Sequence, residues 1–236
     1  MVEESMNLGF MRAGLDVQPV LFANREDAGE RLGKALLRYR GQRPLVLGIP
    51  RGGVPVAAEV ARAVDGDLDV IVARKLGSPF SPELAVGAVT ADGAVYLNKQ
   101  TIDELGVPGD YLDQVTKEKR AEAEARERRF RAGRAPLPIE GRTVILVDDG
   151  LATGSTMVAA ARSVRSRHPK RLVIAVPVAP RDTCVAMHAE ADEVTCLEMP
   201  EFFMAVGSHY RDFSQTEDED VERILGVWHA SPAPRT

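Results

Sequence analysis

The sequence predicts an open α/β domain, doubly wound around a parallel sheet. Three observations point there. Short apolar runs that read as strands alternate with stretches that read as helices, the punctuation of βαβ units. The run at 144–147, Val-Ile-Leu-Val, is apolar at every position, as a strand covered on both faces must be. This run and the one at 45–49 each lead into a glycine-containing turn and then a helix.

The elements follow in order. Residues 1–19 show no clear period and read as an N-terminal extension, with the folded domain at 20–228 and a tail at 229–236. Asn24 reads as the N-cap of a first helix, with Asp27 in its first turn. Ala28, Leu32, Ala35, Leu36 and Tyr39 continue it at helical spacing, and Gly41 stops it. A strand at 45–49, the turn Pro50-Arg51-Gly52-Gly53 and a helix at 54–64 lead to a strand at 69–73. The runs at 84–90 and 94–97 flank Asp92-Gly93, a hairpin signal. Residues 110–131 form a long charged helix; its Glu, Lys and Arg suggest either a nucleic-acid surface or a solvated face laced with ion pairs. A Pro-rich connection (133–141), a strand (143–147), a helix (154–167), a strand (171–178), a helix (181–190) and a strand (193–197) follow. The acidic segment 217–220 enters a short terminal helix around 221–225.

The bulk properties bound the function. A chain of 236 residues can bury one large core or two small ones, and no repeat or composition shift marks a second domain. The net charge of −5 argues against a global attraction to nucleic acid or to anionic lipid. The two cysteines, Cys184 and Cys196, lack metal-ligand spacing, and a chain this long needs no disulfide, so a reducing cytoplasm is the simplest expectation. No run reaches membrane-spanning length, and the start, with Glu3 and Glu4, lacks a signal pattern.

Residues 144–157 carry the chemistry. Asp148 and Asp149 end the apolar strand, a loop of small residues follows, and a helix begins. Ligands of open α/β sheets bind at this edge. Backbone N–H groups of the loop and helix start, with the hydroxyls of Thr153, Ser155 and Thr156, make an anion site. Two acids directly beside a phosphate would repel it; they make sense if a hydroxylated sugar, with Mg²⁺, lies between. An ordinary βα turn would account for one Asp and one Gly, but not for both acids and the Thr-Gly-Ser-Thr cluster. The Gly-Lys-Ser/Thr ending of a nucleotide-triphosphate loop is missing.

This stretch closely resembles the PRPP-binding signature of type I phosphoribosyltransferases, including bacterial members that share the strings PRGG, RKLG and VDDGLATG. The resemblance covers roughly residues 20–226 in order and spacing. It implies the family's sheet, a flap hairpin and a small hood. It puts Asp148 and Asp149 on the ribose hydroxyls, with Mg²⁺ bound there directly or through water. Gly150 and Leu151 would belong to the PRPP-binding loop, and Ala152, Thr153, Gly154, Ser155 and Thr156 would surround the 5′-phosphate. Arg51, Gly52 and Gly53 resemble the pyrophosphate loop, which in the family often holds a non-proline cis peptide. Alone, that string is equally a generic tight turn. Arg74 and Lys75 read as cations at the ligand edge of a parallel strand or as a strand end in solvent, and Arg-Lys-x-Gly resembles the start of a mobile catalytic loop. The flap would then span 77–98 and move in the absence of ligand.

One position departs from part of the family. Ala152 stands where the 6-oxopurine branch has an Asp that works on the purine ring, as in adenine-type members. Glu83 on the flap is the remaining candidate acid or base, unless it is surface. Phe202, Phe203 and Tyr210 are candidates to stack on a base or to pack in the core. The implied activity is transfer of 5-phosphoribose from PRPP to a nitrogenous base, a purine among the options, with Lys75 assisting departure of pyrophosphate. A PRPP- or nucleotide-sensing module without turnover, and a lyase acting in reverse, stay open. PRPP and a small base or nucleotide are the expected partners, with a homodimer compatible and no nucleic acid or membrane expected.

Overall fold

In the computed structural model, which describes residues 22–82 and 84–230, the two apolar runs become neighbouring central strands. They are β1 (Leu45–Gly48) and β6 (Thr143–Val147). With β2 (Asp67–Val70), β7 (Arg171–Val178) and β8 (Glu193–Glu198) they form a parallel sheet of five strands in the order β2-β1-β6-β7-β8. Alternate side chains of a strand face opposite ways. Val46, Ile145, Val147 and Val173 therefore meet one helical layer, α1 (Arg25–Ala35) and α2 (Gly53–Val64), joined by α7 (Asp218–Ala230). Leu45, Leu47, Val144, Leu146 and Ile174 meet α5 (Ser155–Arg165) and α6 (Arg181–Met187) on the other side. This is the doubly wound arrangement expected.

Several elements differ from the expectation. The strand at 69–73 is split. Arg131 donates from Nε to Asp69 at 2.9 Å and from Nη2 to the carbonyl of Val70 at 2.7 Å, while Asp69 also takes the N–H of Leu137 at 3.0 Å. This buried knot stops β2, and the chain turns into β3 (Ala73–Gly77) of a separate antiparallel sheet, order β3-β4-β5. The partners β4 (Ala85–Thr90) and β5 (Val95–Leu97) make the expected hairpin through Asp92-Gly93, but it is not isolated. Asp92 accepts from Ser163 and Arg167 of the α5 side, both at 2.7 Å, and β3 and β4 pack on α4 (Gly109–Phe130). The segment α3 (Lys99–Leu105) is a helix missed in the sequence, although Asn98 caps it and Gly106 ends it at φ 59°. The terminal helix α7 is longer than expected and runs to Ala230, into the stretch read as tail.

The hood consists of chain beyond β8 laid beside the start of the domain. Phe22 bridges Tyr210, with Phe22 N donating to the carbonyl of His209 at 2.9 Å and Arg211 N to that of Phe22 at 2.8 Å. Cys184 and Cys196, expected free, are joined as a disulfide between α6 and β8, because the short connection brings their Cα atoms to 6.7 Å. Among the described residues no helix is long and apolar enough to cross a membrane. The extension 1–19, Glu83 and residues 231–236 lie outside the described residues.

Candidate functional site

Two loops meet at the C-terminal edge of β1 and β6. Ile49 N donates to the carbonyl of Val147 at 2.9 Å, extending the pairing of the strands into the turn. The Pro50–Arg51 peptide bond is cis, as the resemblance implies. Glycine leaves room for close approach at the next two positions, against backbone at Gly53 and against the Asp149 carboxylate at Gly52. A Cβ on Gly53 would lie 2.7 Å from the Val147 carbonyl oxygen and 2.9 Å from Asp148 Cα, and one on Gly52 would lie 1.9 Å from Asp149 Oδ2. The glycines thus let α2 begin against the acid pair.

Asp149 N donates to Asp148 Oδ1 at 2.9 Å. Burial and then the neighbouring charge of Asp149 push the Asp148 carboxyl well above the ordinary carboxylate range. Burial also raises Asp149, and Arg25 opposes that rise. Two carboxyls this close favour a shared proton or a cation.

The loop after the acids divides into packed and open parts. Leu151 is a core residue, and its N–H is taken by the Val178 carbonyl at 3.0 Å, so neither its side chain nor its amide is available to a phosphate. Gly150 sits under Val206 of the hood, where a Cβ would come within 2.6 Å of Val206 Cγ1. Ala152 and Thr153 are exposed. Gly154 has φ 75° and precedes Ser155, the first residue of α5; Thr153 Oγ1 and Ser155 Oγ lie 3.3 Å apart and Thr156 is half-buried. The hydroxyl of Thr183 donates to the Ala152 carbonyl at 3.0 Å, so α6 steadies the loop from outside.

Arg25 joins the site from the first turn of α1, with no local pattern in the sequence to pair it with Asp149. Its Nε donates to Asp149 Oδ2 at 2.8 Å and its Nη1 to the carbonyl of Ser214 at 2.7 Å. A cation in the first turn of a helix opposes the helix dipole, and that is the signal that could have marked it. Arg51 reaches this edge but is already paired, 3.1 Å from Glu217 Oε2 and 3.7 Å from Asp218 Oδ1.

The other candidates are distributed differently. Arg74 and Lys75 are not at the end of a parallel strand; the knot at Asp69 has moved them onto β3, where Arg74 pairs with Glu122 of α4 at 2.8 Å and Lys75 is exposed. Tyr210 is 6% exposed, packs against Phe22 and Phe213, and donates its hydroxyl to the Asp149 carbonyl at 2.6 Å. It holds the acid loop and has no open face for stacking. Phe203 is half-buried and stacks on His209 at 5.4 Å, whereas Phe202 is 85% exposed.

The phosphoribosyl transferase domain family matches residues 88–211. Over 209 residues, 89% of the chain, the sequence is 44% identical to two Mycobacterium tuberculosis proteins provisionally named phosphoribosyl transferases, from strains CDC 1551 / Oshkosh and ATCC 25618 / H37Rv. The chain spans 47%, about half, of the length of these curated relatives. It is also similar to the crystal structure of TT1426 from Thermus thermophilus, at 42% identity and a TM-score of 0.75, covering 88% of this chain and 99% of that one.

Proposed function

The chain belongs to the phosphoribosyltransferase family, and from that premise we propose that it binds PRPP across the ends of β1 and β6 and transfers the 5-phosphoribosyl group to a nitrogenous base. The observation that carries this reading is the buried pair Asp148–Asp149, with a two-glycine turn against one side and a hydroxyl-bearing turn on the other. The 5′-phosphate takes the N–H groups of the α5 start and the hydroxyls of Thr153, Ser155 and Thr156. The acids bind the ribose hydroxyls and favour the positive charge that develops on the ring. Arg51 faces the departing pyrophosphate. The C1–O bond to pyrophosphate breaks with its electron pair leaving on that group, and the C1–N bond to the base forms. The proton of the base passes to solvent or to Glu83.

The donor set suits Mg²⁺ only together with substrate oxygens. No group of three or more His, Cys, Asp or Glu among the described residues could hold a metal alone, and Mg²⁺ is commonly held by one or two carboxylates plus phosphates. Asp148 and Asp149 would supply those carboxylates, and the ion would offset charge on the leaving pyrophosphate.

The test is a melting curve with and without PRPP and Mg²⁺, followed by turnover assays over purine and pyrimidine bases. A ligand present at about 100 times its Kd adds roughly 2.7 kcal/mol of stability. Asp148→Asn with Asp149→Asn removes that gain in a folded protein. An unchanged gain in the double variant refutes the site, and binding without turnover for any base leaves a sensing module.

A further inference from the structure

The chain places its own charges at both ends of the proposed donor site. Residues 212–217, which lead into α7, have no regular secondary structure. At one end this strap holds Arg25: the Ser214 carbonyl accepts from it at 2.7 Å and the Phe213 ring lies 3.9 Å from its guanidinium carbon, while Arg25 itself binds Asp149. At the other end Glu217 and Asp218 engage Arg51. Asp218 also receives two guanidinium groups from α4. Arg126 donates to its carboxylate, and Arg129 Nη1 does so at 3.1 Å, while Arg129 Nη2 pairs with Glu219 at 2.7 Å and its Nε with Glu222.

A helix start is stabilised by an acid through the dipole alone, so three arginines around Asp218 exceed what α7 requires. Converging forked donors of this kind match phosphate oxygens as well as carboxylates. Arg126 and Arg129 lie outside the PRGG, RKLG and VDDGLATG strings.

We propose that Arg126 and Arg129 complete, with Arg51, a diphosphate-binding cluster, and that Glu217 and Asp218 fill it as an internal mimic that an incoming diphosphate displaces. The proposal rests on the reading of the β1 turn as the diphosphate half of the site. Glu217, with 53% of its side chain exposed, gives way first, since an exposed ion pair shifts an equilibrium by about fivefold or less; Asp218, 16% exposed and held by three arginines, is displaced only as the diphosphate takes over those donors. A diphosphate brings more charge and more acceptor oxygens to the same donors. If the contacts are instead a simple clamp between α4 and α7, neutralising the acids leaves diphosphate affinity unchanged or weaker.

The experiment is isothermal titration of the full chain with inorganic pyrophosphate and, separately, with ribose 5-phosphate, both with Mg²⁺. Glu217→Gln with Asp218→Asn tightens pyrophosphate binding about tenfold, equivalent to about 1.4 kcal/mol, and leaves ribose 5-phosphate within about twofold. Adding Arg126→Ala in that background reverses most of the gain, although Arg126 then has no Asp218 carboxylate to lose. If the double variant does not fold, Glu217→Gln alone, which keeps the Arg126–Asp218 contact, tightens pyrophosphate about threefold. Pyrophosphate affinity that is unchanged or weaker in a folded variant, with ribose 5-phosphate still bound, overturns the mimic and leaves the proposed function standing. Absence of binding by either ligand in the unmodified chain overturns both.

Discussion

Arg51 and Arg74 look alike in the sequence, each following an apolar run that reads as a strand, yet they finish in different parts of the molecule. Arg51 follows β1, whose parallel partners β2 and β6 hold it in the sheet centre, and the turn after it opens on the acid pair. Arg74 follows β2, but the Asp69–Arg131 knot ends that strand early and sends the chain into a second sheet, where Arg74 pairs with α4. A cation's place is therefore decided by where the preceding strand stops, and that depends on a residue 62 positions away.

The most severe way to break the contrast is to close the turn proposed to present Arg51 to the diphosphate. In Gly53→Ala the new methyl meets backbone atoms of Val147 and Asp148, which cannot rotate away. We expect a loss of about 1–3 kcal/mol of stability, read as a lower Tm, together with loss of the PRPP-dependent rise. A variant with the stability and ligand response of the unmodified chain would show that the β1 turn is free to shift.

A second comparison exchanges the two cations. Charge-assisted hydrogen bonds contribute about 1.5–3 kcal/mol each, so Arg51→Ala should weaken pyrophosphate by roughly 10- to 100-fold and ribose 5-phosphate much less. Arg74→Ala should change neither affinity and should reduce stability by at most about 1 kcal/mol, the range for an exposed pair. Equal losses of pyrophosphate in both variants would return Arg74 to the site, through a movement of the β3–β5 sheet.

The smallest effect concerns stability of the acid pair without ligand. Burial and Asp149 raise the Asp148 pKa in the folded state. The folded protein then holds that proton more tightly than the unfolded chain, so this group's contribution to stability falls as pH rises from the unfolded value towards the folded one. Asp148→Asn mimics the protonated acid. At neutral pH it should stabilise the free protein by about 0.5–2 kcal/mol, and the advantage should shrink as pH is lowered. Melting curves across pH check this; an advantage constant with pH would assign it to packing instead.

Much of the site was legible because its parts are local. Strand, acid pair, small-residue loop and helix lie within 144–157, and the glycines of 50–53 announce a close approach whatever they approach. Leu151 could not be assigned in this way, since the motif gives its neighbourhood but not the Val178 carbonyl that takes its N–H. The missed helix α3 had readable signals in Asn98 and Gly106, hidden by an apolar stripe too short to show a period. Arg25 and the Asp218 cluster were out of reach. Their partners lie 124 and about 90 residues away, and nothing in a local pattern pairs charges over such distances.

By itself the sequence determined the winding of the sheet and the residues at the edge proposed to bind PRPP. Apolar periodicity selects strand or helix, and side chains within one turn can only meet one another. Tertiary structure alone decided which charges the edge keeps. Parallel neighbours come from distant segments, so the end of β2, the docking of the β3–β5 sheet on α5, and the seat of Arg25 and Asp218 follow from packing among elements already formed.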